Sequence, residues 1–156
     1  MKNYEARLNE LGLSIPEIAP AAGAYVPAVQ SGNLVFCSGQ GPYKDGSFAY
    51  VGQVGSDVSL DNAYQAARIA ALNCLAEIRT VIGSLNRISR VVQIRAFVNS
   101  APDFHDQPKV VNGASELILD LFGNAGKHAR CALGTSNLPS NIPVEVEMVV
   151  ELEQSK

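Results

Sequence analysis

The chain has 156 residues, 47% of them apolar and 17% charged, which suits one folded core and excludes a disordered segment. Its net charge is −3 and no lysine or arginine run occurs, so the basic footprint of a nucleic-acid binder is missing. Apolar runs are far shorter than the roughly 20 residues of a membrane span, and the start MKNYEARLNELGL lacks the apolar stretch of a signal peptide, so a cytoplasmic protein without nucleic-acid or membrane partners is expected.

Leu8 and Leu11 share one side of a short helix that Gly12 is placed to end, and a connecting arm follows. Residues 1–20 are therefore read as a helix and arm, and residues 21–156 as one domain. YVPAVQSGNLVFCSGQ reads as two strands joined by the turn-rich Ser31-Gly32-Asn33. From Ser59 to Ile82 the residues Leu60, Ala63, Ala67, Ala71, Leu75, Ile78 and Ile82 recur at helical spacing, with Ser59 as N-cap and Gly83 as stop. The β-branched run RVVQIRAFV predicts a strand. Asp106 then caps a second long helix that turns Val110, Ala114, Leu117 and Leu121 inward and ends at Gly123. Two further strands, 128–135 and 144–152, flank the loop SNLPSNIP and are predicted to pair as a closing hairpin.

The order hairpin, helix, strand, helix, hairpin suits a two-layer α/β (α+β) sandwich, a mixed sheet with both long helices on one face and right-handed crossovers. Two helices leave the other face of the sheet bare, so self-association is expected.

In the last strand Glu145, Glu147, Glu151 and Glu153 share one face, opposite Val144, Val146, Met148, Val150 and Leu152. A solvated face explains Glu147, Glu151 and Glu153; Glu145 gains interest only beside Arg130. Arg130 in an apolar strand is a surface charge, a glutamate's partner or a fork for a carboxylate ligand. Ser38-Gly39-Gln40-Gly41 ends a strand with small residues, which either make a turn or admit a ligand to the backbone. Tyr25 either packs or points its hydroxyl into a pocket. Cys37, Cys74 and Cys131 form no C-x-x-C pair and read as reduced thiols, Cys74 in the core. His105 and His128 lack metal-ligand spacing and read as surface residues, so no metal is expected.

The set GAY, GNLVFCSGQ, AFVNSAPDF, VN, ARCALGTSNLP and VEVE, in that order, resembles the Rid (YjgF-type) family of enamine and imine deaminases. The resemblance runs from about residue 20 to the C-terminus and is strongest to a longer branch often labelled endoribonuclease-like or chorismate-mutase-like. It implies the chorismate-mutase-like fold, a homotrimer with sites between subunits, and no cofactor. By the same resemblance Arg130 grips the substrate carboxylate and Glu145 holds the attacking water. Tyr25, Ser38, Gly39, Asn112 and the backbone at Ala132 line the substrate. The chain departs from the family at Ala24 and His128, which stand where it has proline, and at Ala132, where it often has cysteine.

The expected reaction is hydrolysis of short 2-imino or enamino acids to 2-keto acids and ammonia. The alternative is a trimeric protein that binds small carboxylates or keto acids without turnover. Ribonuclease and chorismate mutase activities rank lower, because the chain is acidic and only Arg130 is placed to meet an anion.

Overall fold

The computed structural model describes residues 2–154. The first helix, α1 (Tyr4–Glu10), is capped by Asn3, whose side chain accepts from Ala6 N. Tyr4 and Leu8 are buried, and the Tyr4 ring meets Phe122 edge-on with centroids 4.5 Å apart, so α1 is built into the main core. The first predicted hairpin forms as β1 (Ala28–Ser31) and β2 (Leu34–Gln40), antiparallel across Gly32. A two-strand ribbon follows, β3 (Tyr43–Lys44) and β4 (Ser47–Phe48), turning through Asp45 and Gly46 at φ 52° and 87°. Asp-Gly is the turn pair that tolerates such angles.

The long helix α2 (Leu60–Ile82) starts where Ser59 accepts from Asn62 N and stops at Gly83. Then come β5 (Ile88–Asn99), α3 (Gln107–Phe122), β6 (Ala129–Thr135) and β7 (Val144–Leu152). Asp106 stands at the predicted N-cap of α3, but its side chain makes no capping bond and pairs with Lys109 at 3.2 Å instead.

The main sheet runs β1-β2-β7-β5-β6. β7 is antiparallel to both β2 and β5, and β6 is parallel to β5. The predicted closing hairpin is therefore absent: β5 lies between β6 and β7. Side-chain alternation fixes which face of a strand is buried and says nothing about which strand lies next to it. The connection SNLPSNIP is longer than the two to five residues of a tight hairpin loop and carries the chain past a whole strand.

Both long helices cover one face, α2 over β1, β2 and β7 and α3 over β5 and β6. Val35, Ile94, Val98, Val144, Val146, Met148 and Val150 meet Ala67, Ala71, Leu75 and Ile78 of α2 and Val110, Leu117 and Ile118 of α3 in a closed core. The helices also touch one another closely: a Cβ on Gly113 would lie 2.1 Å from the Tyr64 carbonyl oxygen. The other face stays open. Val29, Phe36 and Val149 line up across three strands there, with Val29 53% and Phe36 42% exposed. Arg95 and Glu147 pair at 3.6 Å on the same face, and Leu133 is exposed beside them.

Candidate active site

Glu145 is the first outward-facing residue of β7, set opposite Phe97 of β5. β2 reaches it through a bulge. Cys37 pairs with Met148 and Gln40 with Val146, so three steps on β2 run against two on β7. The extra residue brings Gly39 against the glutamate, where a Cβ would lie 2.6 Å from both Glu145 Cδ and Oε1. The carboxylate occupies the space a side chain would take. Burial raises the Glu145 pKa above the usual carboxylate value, and the charge of Glu147 raises it further. Tyr25, Pro27, Gly39, Gln40 and Glu145 line one cavity of about 200 Å³. Ser38 is not part of that lining; its amide and hydroxyl both donate to the Pro27 carbonyl, at 2.8 and 2.9 Å, which anchors the segment after Tyr25.

Arg130 belongs to a second cluster. Its Nη1 donates to Asn112 Oδ1 at 2.7 Å and to Ser115 Oγ at 3.2 Å, both on α3. Ser115 Oγ is also 3.0 Å from His128 Nε2, and His128 Nδ1 is 2.6 Å from the Gly126 carbonyl. Because a carbonyl only accepts, the Nδ1 proton goes to Gly126, Nε2 is the bare nitrogen, and Ser115 donates to it while accepting from Arg130. Among the described residues no carboxylate pairs with Arg130, which leaves the other edge of its guanidinium for a ligand. Ala132 lies on the same face of β6 and packs against the core.

The two clusters do not meet within one chain. Arg130 is level with Ile94 and Met148, on the helix-covered face; Glu145 is level with Phe97 and Leu133, on the open face. Two strand spacings and three residues separate them, about 10 Å across and about 10 Å along, with the side chains on opposite sides. Tyr25, Gly39 and Glu145 form one cluster, and Asn112 and Arg130 the other.

His128, read from the sequence as a surface residue, is half-buried and part of the Arg130 network. Desolvation lowers its pKa below 6.5, outweighing the Gly126 bond, and the Arg130 charge lowers it further. The unfolded chain therefore takes up this proton at a higher pH than the folded one. Stability from His128 is complete above pH 6.5 and falls as the pH drops from there to the folded value. The urea midpoint of the wild type is expected to drop more than that of His128→Asn between pH 7.5 and 5. The raised carboxylates Glu77 and Glu145 titrate in the opposite sense in both proteins, so the difference isolates His128. Equal drops would sink this assignment. Ser115 and Glu77 also escaped the sequence reading, since each sits inside a helical pattern where a polar residue normally faces water.

The model of the family described as "YjgF/chorismate mutase-like, putative endoribonuclease" matches residues 5–152. Protein TCP17 of Trypanosoma cruzi is 43% identical over 148 residues, 94% of this chain and 92% of its own. The 2-iminobutanoate/2-iminopropanoate deaminase of the mite Dermatophagoides farinae is 28% identical, over 90% of this chain and 95% of its own. Among solved structures, a "putative endoribonuclease" from Shewanella oneidensis superimposes with a TM-score of 0.93 at 36% identity, over 96% of this chain and 99% of its own.

Proposed function

Since the chain belongs to the YjgF/chorismate mutase-like family, we propose that it hydrolyses short 2-imino or enamino acids to 2-keto acids and ammonia. The observation that carries this reading is Arg130, fixed by the neutral side chains of Asn112 and Ser115 and unpaired with any carboxylate among the described residues. An arginine prepared in this way is a receptor for a planar carboxylate. The sequence likeness to the mite deaminase is weaker support in the same direction.

The site is completed between protomers of a homotrimer. Arg130 of one subunit faces the Tyr25–Gly39–Glu145 cavity of its neighbour, which explains why the two half-sites lie on opposite faces of one sheet. The apolar row Val29–Phe36–Val149 supports the same assembly, because a face of that kind is normally covered. Arg130 binds the substrate carboxylate and presents the imine carbon to a water held by Glu145. The raised pKa makes Glu145 a stronger base than an ordinary carboxylate, which suits it to proton exchange with the water. It takes a proton from the water as oxygen attacks carbon and passes it to nitrogen, giving the carbinolamine; it then moves the remaining hydroxyl proton to nitrogen as the C–N bond breaks, releasing ammonia and leaving the keto acid. No cofactor is required, since the imine is already electrophilic and orientation supplies the acceleration.

Ribonuclease activity, the other family label, fits the site poorly. Glu77 and Glu145 line the cavity, no lysine, arginine or histidine of the same chain does, and the one cation the proposed assembly adds is the neighbour's Arg130, too little to track a polyanionic backbone. The test is the release of ammonia and keto acid from freshly generated 2-iminopropanoate and 2-iminobutanoate, which the protein is expected to accelerate. No acceleration of either would leave the carboxylate-binding reading in place of the catalytic one.

A further inference from the structure

The mechanism above makes no use of Glu77. It follows Asn73 by four residues on α2, so the two side chains point the same way. Asn73 Nδ2 donates to the carbonyls of Gly41 and Tyr43, both at 2.9 Å, and so ties the segment after Gly39 to the helix. Glu77 itself is 4% exposed, and its carboxylate has no hydrogen-bond or ion-pair partner among the described residues. No fully enclosed side-chain oxygen or nitrogen among those residues lacks a partner. The Glu77 oxygens therefore keep some access to solvent, and Glu77 lines the cavity that Glu145 also lines.

A carboxylate withdrawn from water without a counter-charge destabilises a fold. Burial raises the Glu77 pKa accordingly. Packing alone favours glutamine or leucine at this place, so the retained acid points to a ligand. Tyr25, Tyr43 and Phe48 also line the cavity, aromatic residues whose rings attract organic cations, and no basic residue of the same chain does. No group of three or more histidine, cysteine, aspartate or glutamate side chains suited to a metal occurs among the described residues.

We propose that Glu77 is a specificity-determining residue that receives a cationic nitrogen group at the end of the substrate side chain, so that imino acids with an amino or guanidino tail are preferred. The location of the reacting end rests on the deaminase reading; the cation site does not. Two measurements separate them. In calorimetric titration, n-butylammonium is expected to bind the wild-type protein more tightly than n-butanol does. Glu77→Gln should lose about tenfold or more of that binding, the scale of a hydrogen bond to a charged group, while unfolding at a higher urea concentration. In turnover, the ratio of kcat/KM for the imine made from arginine to that made from norleucine should exceed one and fall about tenfold in Glu77→Gln. Equal binding of n-butylammonium by wild type and variant, or a less stable variant, would overturn the proposal. Glu77-dependent binding by a protein that hydrolyses no imine would sustain the cation site and reject the deaminase reading.

Discussion

Arg130→Ala and Glu145→Gln are each expected to lose about 10²-fold or more in kcat/KM toward 2-iminopropanoate, and a reassembled mixture of the two to recover activity. The first loss is that of a charge-assisted carboxylate grip and the second that of a proton-transfer group. The recovery follows from the sheet register. Arg130 and Glu145 face opposite sides of one chain, so the proposed site draws them from two chains. In trimers formed at random from equal amounts of the two variants, about one quarter of the sites pair an intact arginine with an intact glutamate across a head-to-tail interface. The experiment is to dissociate both variants in mild denaturant, mix, reassemble and assay, with each variant reassembled alone as control. Recovery near that fraction supports the composite site. No recovery, with mixed trimers verified by mass, would mean that each chain builds its own site and that the division described above has been misread.

Gly39→Ala is expected to reach nearly the same loss without touching a catalytic group. Gly39 is not among the positive-φ glycines, so alanine brings no backbone strain there. Its methyl carbon would fall 2.6 Å from the Glu145 carboxylate, which must swing away. The expected signature is a fall in kcat with little change in urea midpoint. Adding Glu145→Gln to Gly39→Ala should cost little more, because the two changes remove the same interaction. A fully active Gly39→Ala, or losses that simply multiply in the double variant, would show that Glu145 does not work from the position it holds here.

Much of this fold was readable from the chain because it is locally specified. Ser59, Gly83 and the recurrence of Ala67, Ala71 and Leu75 mark α2 without reference to anything distant, and Ser31-Gly32-Asn33 marks the first hairpin in the same way. The β3–β4 ribbon carries its own local signal in the turn pair Asp45-Gly46, but strands of two residues are too short to show an alternation. The pairing of β7 was not readable. It sits between β2 and β5, strands more than 100 and about 50 residues earlier, and nothing in VEVEMVVEL names its neighbours. The candidate site residues rest on the family resemblance, and their separation onto two faces was not legible, because it depends on that same strand order. His128 and Glu77 were hidden for a further reason: a polar residue's burial is decided by what packs over it.

The bulge in β2 makes this strand sensitive to insertions and deletions rather than only to substitutions. Val35 and Cys37 point into the core on one side of it, while beyond it Gln40 is level with core-facing Val146 and Gly39 abuts Glu145. Removing a single residue between Cys37 and Gln40 would restore an unbroken two-residue alternation, and β2 could then keep its core contacts only by surrendering the gap beside Glu145. A relative one residue shorter in this segment would thus keep the sandwich while losing the cavity, so the length of this strand separates chains that retain the site from those that retain only the fold.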